Sequence, residues 1–146
     1  MMTPEPHRTH PCAQCPWRRD ADLTAFSDAD MTKLANANGS PGCEAPTDAP
    51  AMSCHLDQPD SAHPMRLCAG WLAVVGRHHL GIRMALMIDK LPPAAVDTSD
   101  DWPPLHPSLE ALRTERTRQQ LIAHPPALSL SPADPPGAAE PGVGHR

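Results

Sequence analysis

Cys12 and Cys15 are separated by two residues in the stretch HPCAQCPWRRDAD; 38 intervening residues lead to the adjacent pair Cys54 and His55, and 12 more lead to Cys68. A CxxC turn lets two thiolates converge on one ion, and one or two distant ligands complete a tetrahedron around it. This spacing constrains the fold more than any other feature, because it ties the N-terminal region to the middle of the chain. The candidate metal ligands are Cys12, Cys15, Cys54 and Cys68. His55 either substitutes as a fourth ligand or, in the leading reading, donates a hydrogen bond to a coordinated sulfur or a nearby carboxylate.

The chain needs such a tie. Its 146 residues include 20 prolines and only 3% aromatic side chains, which leaves room for one domain and little material for a large apolar core. At an ordered length of about 80 residues, an apolar core alone contributes roughly 3 to 5 kcal/mol, and a structural zinc on the order of 10 kcal/mol. Cys12 and Cys15 lie in a polar, proline-flanked stretch, where an isolated thiol has little to pack against. The opening MMTPEPHRTHP has no apolar core of a signal peptide, which points to a reducing cytoplasm. Five cysteines is an odd number, and with no secretory signal a disulfide framework is the weaker reading.

Zinc is the leading cofactor, and a [4Fe-4S] cluster is the alternative. The cluster also suits a CxxC pair with two distant cysteines, and Pro16 follows Cys15 as proline follows cluster cysteines in ferredoxins. A thioredoxin-like couple requires CxxC at a helix start within a βαβ unit, and no strand alternation accompanies this one. Cys43 fits no ligand spacing and reads as a free thiol.

The formal net charge is -5, and residues 12 to 90 carry seven Lys/Arg against nine Asp/Glu, which is no electrostatic footprint for nucleic acid. The longest apolar stretch, CAGWLAVVGRHHLGIRMALMIDKL, is broken by Arg77, Arg83, Asp89 and Lys90 and is no membrane span.

In SDADMTKLANANG, Ser27 as N-cap, Asp30 at the third helical position, a Phe26 and Met31 staple and Gly39 past the end predict one short helix. Residues 39 to 63 read as a loop that carries Cys43, Cys54 and His55. Residues 68 to 91 form the expected core as two helical pieces, apolar on nearly all sides and bent at Gly76 or Gly81. A last helix starts at Ser108 and is stopped by Pro125; its sparse stripe of Leu109, Leu112, Leu121 and Ile122 predicts weak docking. The expected fold is therefore mainly α, a small metal-stapled helical and irregular domain. Residues 1–11 read as a disordered tail, 12–91 as the Cys/His domain, 92–107 as a proline-rich linker, 108–124 as a helix and 125–146 as a second disordered tail.

Of the nine histidines, His78 and His79 read as an ordinary partly exposed pair, and His7, His10, His106, His124 and His145 as solvated. Trp17 and Trp71, each close to a ligand cysteine, are candidates to cover the site. Arg18 and Arg19 are candidates to offset the negative charge of a thiolate centre.

PCAQCPWRRDA, MSCHLD and CAGWLAVVGRHHLGIRMAL, in this order, resemble a family of small proteins of unknown function common in actinobacteria and their phages. The resemblance covers about residues 11 to 91 and implies a shared fold and a shared Cys/His site, but no reaction. The Gly/Pro/Asp-rich stretch around Cys43 and the proline-rich C-terminal extension depart from the pattern.

Three functions follow. The leading one is a non-enzymatic, zinc-stapled module that binds an unidentified protein partner, as a regulator for instance. The second is a [4Fe-4S] sensor of redox state or gas. The third is a small metal-dependent or thiol enzyme; the chain shows no acid/base pair, phosphate loop or nucleophile elbow for it, although three cysteines with an open position beside His55 suffice in principle.

Overall fold

The computed structural model describes residues 7–54 and 66–126. Its four α-helices are α1 (Asp28–Asn36), α2 (Ala69–Val74), α3 (Leu80–Met87) and α4 (Leu109–Ala123), joined by 3-10 turns at Leu23–Ala25, Gly76–His78 and Pro93–Val96. Among the described residues there is no strand, only isolated bridges, so the fold is mainly helical as the sequence predicts. No helix among the described residues is long and apolar enough to cross a membrane.

α1 starts as its sequence dictates. Ser27 Oγ accepts from the Asp30 N–H, and Asp30 returns a bond to the Ser27 N–H, so two otherwise unpaired donors are satisfied reciprocally. Met31 and Leu34 turn into the core. The helix ends at Asn36, before Gly39. Gly39 serves a different purpose, because a Cβ there would lie 2.0 Å from the His78 carbonyl oxygen. The backbone of residues 45 and 78–80 passes at that point, with the Ala45 N–H donating to His78 at 2.8 Å.

Residues 68–91 fold as two helical pieces, and the break falls at Gly76–His79. His79 starts the second piece: its Nδ1 accepts from the Ile82 N–H, while Nε2 lies 3.1 Å from the Ala49 carbonyl. α2 is buried through Ala69, Gly70, Trp71 and Leu72. The expectation of burial on nearly all sides fails for α3, where Leu80, Met84, Met87 and the following Ile88 are exposed and Ile82 alone is buried.

The ordered body is longer than residues 12–91. His7 is buried and bridges to Leu67, so residues 7–11 belong to the body rather than to a tail. Ala95, Val96 and His106 are buried in the proline-rich segment, which packs as a strap rather than hanging as a linker. The Arg19 N–H donates to Pro104 and the His106 N–H to Trp17, which fastens the strap to the CxxC region. Proline lacks an N–H, but its carbonyl still accepts, and this strap uses that capacity. The buried positions of His7 and His106 correct their reading as solvated; His10 and His124 are exposed.

α4 docks firmly. Leu109 and Leu112 are buried, Gln119 accepts from the Leu23 N–H at 2.7 Å and donates to the Ala21 carbonyl, and Arg116 donates to the Phe26 carbonyl at 2.9 Å. Leu121 and Ile122, counted on the same stripe in the sequence, are exposed instead. Leu112→Ala is therefore expected to cost about 2 to 5 kcal/mol in urea unfolding, whereas Ile122→Ala should stay within about 0.5 kcal/mol of wild type. Equal effects would contradict this docking.

Candidate metal centre

Three chain segments carry the four cysteines to one place. Around Cys12 and Cys15 the chain turns tightly: the Cys15 N–H donates to the Cys12 carbonyl at 3.1 Å, and the Arg18 N–H to the Cys15 carbonyl at 3.2 Å. Arg18 braces the turn from outside, its Nη1 donating to the Cys12 carbonyl while Nε and Nη2 fork onto Asp20 at 2.8 and 2.7 Å. Arg19 reaches away, to the Leu105 carbonyl.

Cys54 and Cys68 are paired through a short antiparallel crossing centred on Ser53 and Leu67. The Cys54 N–H donates to Arg66 at 2.7 Å and the Cys68 N–H to Met52 at 2.9 Å. Side chains alternate across extended backbone, so Cys54 and Cys68, each one residue from the bridge, share a face. Cys68 is also the N-cap of α2, its sulfur accepting from the Trp71 N–H at 3.5 Å.

Cys12, Cys15, Cys54 and Cys68 are all buried thiols of the core, while Cys43 is exposed on its own turn with Ser40. The Cys15 and Cys68 sulfurs are 3.9 Å apart. The contact between the two thiols holds Cys15 below its ordinary pKa and, together with burial, pushes Cys68 well above. Cys12 is pushed up to about 11, chiefly by burial, with the neighbouring Cys54 and Cys68 adding to it. Each of the four thus lies within electrostatic reach of others in the set. The sulfurs are associated in pairs: among the described residues, no group of three or more His, Cys, Asp and Glu side chains is arranged as a formed metal site. His55 and His63 lie outside the described residues.

The walls of the cluster are tryptophan and glycine. Trp17 and Trp71 are 1% and 0% exposed, so both aromatic neighbours of the cysteines are fully internal. Trp71 Nε1 donates to the Ala37 carbonyl at 3.1 Å, and its ring meets the His79 ring edge-on. A cavity of about 950 Å³ reaches Cys54 and Cys68 along Trp17, Phe26 and Met52. Gly70 is the residue that sequence reasoning missed. A Cβ there would meet Cys15 Sγ at 2.7 Å and Trp17 Cβ at 2.9 Å, so only glycine lets α2 approach the CxxC turn so closely. The small residues after Cys68 in CAGW were the available signal. Gly70→Ala should cost about 1 to 3 kcal/mol through overpacking, read as a lowered Tm. An unchanged Tm would show that the two segments are less tightly apposed.

This chemistry is sulfur-rich and desolvated, which suits a soft divalent ion or a cluster better than a hydrolytic site. No curated protein matches the chain, and no solved structure does. A family model described as "Family of unknown function (DUF6283)" matches residues 7–131, which takes in the CxxC turn, the Cys54 and Cys68 crossing, the proline-rich strap and α4. The chain accordingly belongs to that family of unknown function, DUF6283.

Proposed function

We propose that Cys12, Cys15, Cys54 and Cys68 hold one zinc ion as the structural staple of a non-enzymatic module that binds a protein partner. The observation that carries this reading is the 3.9 Å separation of Cys15 and Cys68, residues 53 positions apart in sequence. With Zn–S distances of about 2.3 Å, the edge of a sulfur tetrahedron is about 3.8 Å. The four cysteines are free of disulfides, so their thiols are available as ligands. Zinc binding deprotonates the thiols it ligates, so four thiolates around one divalent cation would form a dianionic centre. The Trp71 N–H on Cys68 and the Arg18 guanidinium beside the turn offset part of that charge.

A closed set of four sulfurs leaves no open position for substrate, which is the mark of a structural rather than a catalytic zinc. The protein requires a reducing compartment to keep the four thiols available, which supports a cytoplasmic location. The absence of a basic excess in the net charge of -5 favours a protein over nucleic acid as partner.

Metal analysis of Cys→Ser variants tests the assignment. Substitution at Cys12, Cys15, Cys54 or Cys68 should abolish stoichiometric zinc, and Cys43→Ser should retain it. His55→Ala should retain zinc with affinity weakened about 10- to 100-fold, as expected for an outer hydrogen-bonding partner. Loss of zinc in Cys43→Ser, or its retention in Cys15→Ser, would show that the wrong four were chosen. A brown, iron-containing protein after anaerobic purification would instead identify a [4Fe-4S] cluster on the same cysteines.

A further inference from the structure

We propose that the indole N–H of Trp17 donates a hydrogen bond to the coordinated thiolates, so that Trp17 is a positioning residue of the metal centre and not only part of its wall. The proposal rests on the zinc reading above and adds to it a group outside the four ligands.

The observation that carries it is an orphaned donor. Trp17 is fully internal, and its Nε1 is enclosed by protein without a hydrogen-bond partner. Trp71, the other tryptophan beside the cysteines, is equally buried, but its Nε1 has the Ala37 carbonyl at 3.1 Å. A buried N–H left unpaired carries its full desolvation cost, and native folds rarely retain one without a use for it.

The surroundings of the ring name the acceptor. Cys15 and Trp17 together cover Gly70: a Cβ placed there would lie 2.7 Å from Cys15 Sγ, 2.9 Å from Trp17 Cβ and 3.2 Å from Trp17 Cδ1. Cδ1 is the ring carbon bonded to Nε1, so the edge of the indole that carries the N–H starts at most about 6 Å from the Cys15 sulfur. The Cys68 sulfur lies 3.9 Å beyond Cys15, and Trp17 also shares the wall of the cavity that reaches Cys54 and Cys68. A thiol sulfur is a weak acceptor. A metal-bound thiolate carries charge, and hydrogen bonds to charged acceptors are shorter and stronger.

The backbone around the cysteines already treats their sulfurs as acceptors. Pro16 has no N–H, so the first donor after Cys15 is the backbone N–H of Trp17, which lies against the Cys15 sulfur and favours its ionised form. The Gln14 N–H does the same for Cys12, and the Gly70 and Trp71 N–H groups for Cys68. Four thiolates around one divalent cation leave negative charge over, which such donors offset. The Trp17 indole is a further donor in the same enclosure, unspent on any other group.

Cadmium-113, a spin-active thiophilic substitute for zinc, tests the proposal by NMR on the full-length protein under reducing conditions. At one equivalent, the Trp17 indole proton should move downfield and show a scalar coupling to the metal that disappears with a spinless cadmium isotope, because that coupling passes from sulfur to proton only along a hydrogen bond. The Trp71 indole, bonded to Ala37, should show none. Trp17→Phe should weaken zinc binding about 10- to 100-fold at unchanged stoichiometry. The coupling is read in the wild-type chain, so it decides even where Trp17→Phe folds poorly. Metal bound one to one with neither shift nor coupling at the Trp17 indole overturns this proposal and leaves the zinc reading standing, as does a folded Trp17→Phe chain of wild-type zinc affinity. A chain that takes up neither zinc nor cadmium overturns both.

Discussion

Stripping metal from the full chain with a chelator under reducing conditions is expected to abolish the cooperative thermal melt of the body that begins at His7 and ends with α4. The effect should be the largest available to any single perturbation. A structural zinc contributes on the order of 10 kcal/mol, as much as the whole net stability of a typical small domain. The cysteines sit where three segments meet, so losing the proposed ion would release the CxxC turn, the Ser53 and Leu67 crossing and the start of α2 together. Circular dichroism should show a broad, low-temperature transition after chelation and recovery on adding one equivalent of zinc. Acid should act in the same direction, because protons compete for thiolates that the metal requires deprotonated. An unchanged cooperative melt after complete removal would mean that the apolar core alone holds the fold.

Trp71→Ala is expected to cost about 3 to 5 kcal/mol, the upper range for a single buried side chain. Trp71 is fully buried, contacts the His79 ring and ties α2 to the end of α1 by a hydrogen bond from Nε1 to the Ala37 carbonyl. Truncation opens a large cavity and strands a buried carbonyl, and the two penalties act together. Trp71→Phe separates them: it keeps most of the apolar volume and loses the bond, so it should fall about 1 to 3 kcal/mol below wild type. Urea midpoints of the two variants decide. Trp71→Phe as damaging as Trp71→Ala would place the cost in the hydrogen bond and not in packing.

What the sequence made legible was local. Ser27, Asp30 and Met31 encode a helix start within five residues, and the structure builds it with both bonds of the capping box. Ser108 likewise starts α4, and a glycine marks the break between α2 and α3. The illegible features are those in which a residue's role depends on a segment far away in the chain. Gly39 reads as a helix stop until the backbone of His78 is seen to pass within contact distance. The proline-rich strap reads as a linker because its carbonyl acceptors at Pro104 and Leu105 have no sequence signature. His7 and His106 sit in proline-rich stretches that look solvated, yet both are covered by elements they are not adjacent to in sequence. α3 reads as buried because apolar residues surround it, and periodicity alone does not tell a core helix from one that leaves a face exposed. The cysteine set was visible through spacing alone; its pairing through Leu67 and its dependence on Gly70 were not.

Zinc K-edge X-ray absorption on the full-length protein, with metal content measured on the same sample, tests the central claim most directly. One zinc per chain with a first shell of four sulfurs at about 2.3 Å is the expected result. A first shell of oxygen and nitrogen, or no stoichiometric zinc in protein purified with all five thiols reduced, would contradict it.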